Sequence, residues 1–129
     1  MKKKILIVVA DYYSGISSGL IKSAKKTIPK NFMMKLVRVP GVFEIPVTIS
    51  KNIKKFDAFI ALGCVIKGQT PHFDFISKTT TEGIMQISIS SKKPVGNGII
   101  TCLNMKQAIL RMNKGKEAVK AALSILTQQ

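Results

Sequence analysis

Histidine occurs once in the 129 residues, as His72, within the run Gly63-Cys-Val-Ile-Lys-Gly-Gln-Thr-Pro-His-Phe-Asp74. Thr70-Pro71 is a capping residue followed by a first-turn proline, so a helix is predicted to begin there, with Gly68 letting the backbone turn closely past a ligand. The free amides and positive dipole end of that helix, with Lys67 and the Thr70 hydroxyl, make a seat for a phosphate. In that field the His72 imidazole is expected to be neutral at pH 7 and able to accept a proton. An ordinary strand-to-helix connection, capped by Thr70 and with His72 idle, explains the same residues.

Other groups are open to two readings. Glu44, one of six acids, lies in Val39-Pro-Gly-Val-Phe-Glu-Ile-Pro46, where it could bind ligand hydroxyls or amines, or simply favour a helix N-terminus. Tyr12 and Tyr13 follow an apolar run and offer aromatic faces to a planar ligand, or pack in the core. Arg111, just before Asn113-Lys114-Gly115, could grip a phosphate with two N–H groups or complement the end of a helix. Cys64 and Cys102 fall in buried strands, where a thiol acts as a small hydrophobe. Two cysteines and one histidine form neither a disulfide framework nor a structural zinc site, so no metal is expected.

Strands and helices alternate along the chain and must position these groups. Lys4 to Ala10, Met33 to Val39, Phe56 to Ile66 and Val95 to Cys102 are apolar or β-branched runs that predict strands. Helical spacing follows each: Ile16, Leu20, Ile21 and Ala24 after the first, Phe43 to Ile53 with Pro46 in its first turn, and Thr70 to Ser90. Met105 to Met112 and Lys116 to Thr127 complete the helices. Regular alternation predicts an α/β fold, a three-layer α/β/α sandwich around a four-stranded parallel sheet. Ligands of such sheets bind beyond the carboxyl ends of the strands, in the loops after positions 10, 39, 66 and 101.

The segments Val39–Pro46 and Ala61–Asp74 together resemble lumazine synthase, a family of riboflavin biosynthesis, and Gln107–Arg111 and Asn113–Gly115 extend the likeness over nearly the whole chain. The resemblance implies a single domain over residues 1–129 and condensation of 5-amino-6-(D-ribitylamino)uracil with 3,4-dihydroxy-2-butanone 4-phosphate, without metal or organic cofactor. Its implied roles are proton transfer for His72, the butanone phosphate for Arg111, and the phosphate loop for Gly68, Gln69 and Thr70. Gly41, Val42, Phe43 and Glu44 would hold the ribityl chain, Glu44 on its hydroxyls, while Cys64, Val65 and Ile66 face the pyrimidine and Tyr12 stacks on it. Asn97 stands where many members place an apolar or aromatic residue against the pyrimidine, and Lys114 corresponds to a lysine near the substrate. The resemblance further implies sites shared between adjacent subunits of a pentamer, the first three loops from one chain and the Arg111 region from its neighbour.

Charge and composition bound the alternatives. With 46% hydrophobic residues the chain has the apolar surface a packed globule needs. No apolar stretch approaches the ~20 residues of a membrane span, and Lys2 to Ala10 reads as the first strand of a cytoplasmic protein and not as a leader. The 21 basic and 6 acidic residues give +15, a field that favours anionic partners. All the basic residues but Arg38 and Arg111 are lysines, and a solvated lysine surface is expected, with no nucleic-acid or membrane partner. A carrier or sensor that binds flavin or lumazine without turnover is the competing class.

Overall fold

β1 (Lys4–Ala10) and β3 (Ala58–Ile66) are apolar at nearly every position, so each of their faces requires a cover. The computed structural model describes residues 2–128, and Met1 and Gln129 lie outside the described residues. The remaining elements are α1 (Ser14–Thr27), β2 (Met33–Val39), a 3-10 turn at Val42–Glu44, α2 (Ile45–Lys51), α3 (His72–Ser91), β4 (Val95–Cys102), α4 (Met105–Leu110) and α5 (Lys114–Leu126). All four strands are parallel in the order β2-β1-β3-β4, which leaves β2 and β4 as edges. One face of the sheet, with Ile5, Ile7 and Val9 of β1, packs on Ile16 and Leu20 of α1 and on Ala118 and Val119 of α5. The other, with Leu6, Val8 and Ala10, packs on Ile45 and Ile49 of α2 and Ile84 of α3. The result is the expected three-layer sandwich, doubly wound and flavodoxin-like.

Helices approach the edge strand closely because the residues between them are small. A side chain at Gly96 would strike the Ala118 carbonyl of α5, and one at Gly98 would meet Leu62. Gly115 lies so close to α1 that a β-carbon there would collide with the Leu20 carbonyl and the Ser23 hydroxyl. These contacts fix α5, and with it the start of the Asn113–Lys114 segment, against both sheet and α1.

The ends of five elements depart from the sequence expectation. α3 begins at His72 and not at Thr70, because the residue before a proline is disfavoured in the helical region. β3 begins at Ala58, since Asp57 is taken up by the turn, its amide donating to the Lys4 carbonyl and its carboxylate accepting the Lys4 amide at 2.8 Å. The helix expected over residues 43–53 resolves into the 3-10 turn and a seven-residue α2 that ends at Lys51. α4 likewise stops at Leu110, and α5 spans Lys114–Leu126 where Lys116–Thr127 was expected.

The packing predicts opposite outcomes for two glycines. Gly115→Ala is expected to destabilise the protein by about 1–3 kcal/mol, because backbone must move to admit the methyl group. Gly15→Ala, in α1 with open space around it, is expected to stabilise by about 0.5–1 kcal/mol. Urea unfolding followed by circular dichroism measures both, and equal effects would contradict the tight α1–α5 contact.

Candidate active site

Pairing between β1 and β3 ends at Val9 opposite Leu62, whereas pairing between β3 and β4 continues to Ile66 opposite Cys102. The last residues of β3, Gly63 to Ile66, therefore project past β1 with a strand beside them on the β4 side only. On the β1 side the chain turns away into Asp11-Tyr12-Tyr13, and the order β2-β1-β3-β4 reverses direction there. This is the switch point at which open α/β sheets bind ligands. A cleft of about 450 Å³ occupies it, lined by Tyr12, Tyr13, Gly41, Val42, Phe43, Cys64, Val65, Ile66, His72 and Ile76.

Local structure holds each wall of this cleft. The Tyr13 carbonyl accepts from the Ser17 amide at 2.9 Å and from its hydroxyl at 3.0 Å, and the same hydroxyl reaches the Ala10 carbonyl, tying the loop after β1 to α1. Asp11 accepts from Arg38 of β2 at 3.1 Å, bracing that loop from the other side. Tyr12 is 73% exposed at the cleft mouth, its ring edge-on to Tyr13 with centroids 4.8 Å apart. Val42 packs beneath the cleft and Phe43 projects outward. His72 is the first residue of α3, exposed, and its amide donates to the Thr70 hydroxyl at 3.4 Å, so Thr70 serves the helix start although Pro71 occupies the cap position.

Gly68, Gln69 and Thr70 form an exposed loop beside this cleft without lining it. Around Gly68 the space is open and its φ is not positive, so the missing side chain leaves room above the loop and no special backbone geometry is at stake. Glu44 sits next door. Its Oε1 lies over Gly41, and it lines an adjoining recess with Phe43, Pro46, Thr79, Thr80 and Gly83. Phe43 is the residue common to both spaces.

Asn97, Arg111 and Lys114 gather elsewhere, in a second cleft of about 590 Å³ at the β4 edge, with Thr101, Leu110, Asn113 and Glu117. Asn104 starts α4 by accepting from the Gln107 amide at 2.9 Å, and Gln107 reaches back to the Leu103 amide at 2.8 Å, a reciprocal cap. Arg111 closes the same short helix, and its guanidinium donates to the Thr101 carbonyl at 3.2 Å. Among the described residues no carboxylate pairs with Arg111, whereas Lys114 lies 3.7 Å from Glu117, an exposed pair of small energetic weight. The Asn97 amide oxygen accepts from the Ile99 amide at 3.0 Å, which satisfies an edge-strand donor and leaves its NH₂ group outward. Arg111 is thus not brought to His72 within one chain.

The sequence offers Tyr12 and Tyr13 alike as aromatic faces and gives a site role to Tyr12 alone, whereas Tyr13 and the unforeseen Ile76 also line the first cleft. An aromatic residue after a buried strand is equally a core residue, and half of Tyr13 is core: it packs on the cluster containing Cys64 and Ala108. Burial pushes the Cys64 thiol up to about 12, with the Cys102 thiol adding to the effect, and Cys64 is 8% exposed. It is a wall of the cleft and not a nucleophile. Burial, then the nearby Tyr12 and Cys64, also raises the Tyr13 phenol above its ordinary range. Among the described residues no group of three or more His, Cys, Asp or Glu could hold a metal ion.

Known proteins are similar to this sequence over nearly its whole length. The family described as 6,7-dimethyl-8-ribityllumazine synthase matches residues 2–129. Proteins of that name from Cutibacterium acnes and Paenarthrobacter aurescens are 36% and 39% identical, over 96% and 94% of this chain and 80% and 81% of their own lengths. The one from Campylobacter curvus is 37% identical, over 97% of this chain and 87% of its own.

The two raised groups have a consequence for pH. Cys64 and Tyr13 bind their protons more tightly in the fold than in the unfolded chain, so the stability they contribute is full below the unfolded-chain values of 9.0 and 10.0. It is lost as pH rises through the folded value of Cys64, about 12. The urea midpoint is expected to fall across this alkaline window, and Cys64→Ala to flatten the fall. A slope unchanged by that substitution would contradict the burial of the thiol as its source.

Proposed function

The chain belongs to the 6,7-dimethyl-8-ribityllumazine synthase family, and on that premise we propose how its residues divide the work of the reaction. It condenses 5-amino-6-(D-ribitylamino)uracil with 3,4-dihydroxy-2-butanone 4-phosphate to give 6,7-dimethyl-8-ribityllumazine, phosphate and water, the penultimate step of riboflavin biosynthesis. The pyrimidine lies in the first cleft, its ring against the projecting Cys64–Ile66 strand end and the Tyr12 ring. Its ribityl chain runs across Gly41, Val42 and Phe43 towards Glu44, whose carboxylate accepts from the hydroxyls. The butanone phosphate rests on the exposed Gly68–Thr70 loop beside the start of α3, and Arg111 completes its binding. With both substrates oriented, the pyrimidine amine attacks the carbonyl, a Schiff base forms with loss of water, and His72 moves protons as phosphate leaves.

The observation that carries this division is the separation of the two clefts. One holds an imidazole and no guanidinium, the other a guanidinium and a lysine and no imidazole. We infer that the second cleft of one subunit closes the first cleft of its neighbour, in a pentamer or a multiple of it. Exposed apolar residues beside the second cleft support this: Leu110 is 77% exposed and Leu103 is 59% exposed. On α3, Phe75, Met85 and Ile89 are exposed as well, a further surface for assembly. Residues 1–129 act as one domain, and the phosphorylated substrate, which cells retain, supports a cytoplasmic location. Among the described residues no helix is long and apolar enough to cross a membrane.

Turnover is checked directly by giving the purified protein both substrates and following lumazine absorbance; an assembled protein without turnover would overturn the assignment of the reaction to these residues. Arg111→Ala is expected to raise KM for the butanone phosphate by about 100-fold, the loss of a charge-assisted pair, with KM for the pyrimidine little changed. His72→Ala is expected to lower kcat about 10²-fold. Refolded together in equal amounts, the two variants should recover about a quarter of the wild-type sites, since random closed rings pair two intact halves that often. No recovery would place both residues in the same subunit's site.

A further inference from the structure

The first cleft presents few polar side chains to a planar heterocycle. Of its lining residues only Tyr12, Tyr13, Cys64 and His72 carry a side-chain donor or acceptor. Tyr12 and His72 are exposed at the mouth, and a thiol is a weak donor. Tyr13 differs in three respects. Its backbone is pinned by the two Ser17 bonds, so only its two side-chain torsions remain free. Its ring is half-buried between Tyr12 and the cluster around Cys64, next to the strand end that faces the cleft. And among the described residues its hydroxyl makes no hydrogen bond and keeps contact with solvent, so that it is free to pair with a ligand that enters the cleft.

We propose that the Tyr13 hydroxyl is a specificity-determining group of the site, donating a hydrogen bond to a ring carbonyl oxygen of the pyrimidinedione substrate. The inference rests on the placement of the pyrimidine in this cleft. A pyrimidinedione carries two carbonyl acceptors, and one that loses its water on entering the cleft requires a donor in return. Tyr12 supplies a face and Tyr13 an O–H, so the adjacent pair divides stacking from hydrogen bonding. The upward shift of the phenol keeps this donor protonated through neutral and mildly alkaline pH. Rings of similar size without an acceptor in that position would leave the hydroxyl unpaired, and the site would discriminate against them.

Tyr13→Phe removes the oxygen and keeps the ring, its packing and its edge-on contact with Tyr12. Steady-state kinetics with each substrate varied in turn, and titration with 6,7-dimethyl-8-ribityllumazine followed by fluorescence, test the proposal. The variant is expected to raise KM for the pyrimidine and Kd for the lumazine by about 10–30-fold, while KM for the butanone phosphate stays within about twofold. Thermal unfolding of the variant should match the parent. Equal rises for both substrates would assign Tyr13 a structural part, and an unchanged pyrimidine KM in an active variant would overturn the proposal alone. Absence of turnover in the parent protein would overturn the reading of the site together with it.

Discussion

A difference in strand length governs the carboxyl end of this sheet. β1 stops pairing at Val9, and β3 runs on to Ile66 with β4 still beside it. The hydrophobic layers hold that offset in place: shifting β3 by one residue would turn Phe59 and Ala61 from the α2–α3 core towards α1 and α5, and would move Ile60 and Leu62 the other way. Every feature of the first cleft derives from it. The strand end is exposed on one side because β1 has ended, the Tyr12-Tyr13 corner fills the vacated edge, and α3 starts its first turn alongside. The core therefore specifies the site through register, even though no core residue does chemistry.

Much of this was legible in the sequence, and the reasons differ by element. β1, β2 and β4 were read to the residue because apolar runs bounded by lysine, glycine and proline leave little choice. Helix ends were less legible, since they depend on local geometry: Pro71 delays α3, and the turn after α2 takes Phe56 and Asp57 from β3. Most residues lining the first cleft were named as candidates, but the division of the candidates between two clefts was not visible from spacing. It arises because Arg111 and Lys114 follow β4, on the far side of β3 from β1. Tyr13 was legible only as an aromatic residue. Its role as a wall follows from the T-shaped contact with Tyr12, which no pattern of residue types encodes.

The +15 charge is distributed less evenly than a lysine-rich composition implies. Lys2, Lys3 and Lys4, Lys30, Lys54 and Lys55, and Lys92 and Lys93 all stand at the amino ends of the strands, opposite the clefts. One of them is structural: the Lys93 ammonium donates to the Ile53 and Phe56 carbonyls at 2.6 and 2.9 Å, closing the turn that leads into β3. Among the acids, Asp11, Glu44, Asp74 and Glu117 lie at the opposite end of the strands, close to the two clefts. The long-range field of the molecule still favours a phosphorylated substrate, while the close recognition proposed above rests on Arg111 and on the Gly68–Thr70 loop. Encounter and recognition are thus served by different charges.

The placement of Arg111 explains why a short helix ends beside an edge strand. A guanidinium held only by its own flexible stem would lose rotamer freedom on meeting phosphate. Here the reciprocal Asn104–Gln107 cap fixes the start of α4, and the Thr101 carbonyl takes one N–H of the side chain, so the remaining donors are already oriented. The strand that supplies this carbonyl is exposed along the face bearing Asn97 and Thr101, so among the described residues nothing covers the guanidinium. An exposed, pre-oriented cation flanked by Leu103 and Leu110 is poorly suited to a solitary subunit and well suited to being pressed against another. In the proposed assembly the apolar residues would exclude water from the contact, and a phosphate bound there would meet the charge in a medium of lower dielectric, where the same pair is stronger than in bulk water.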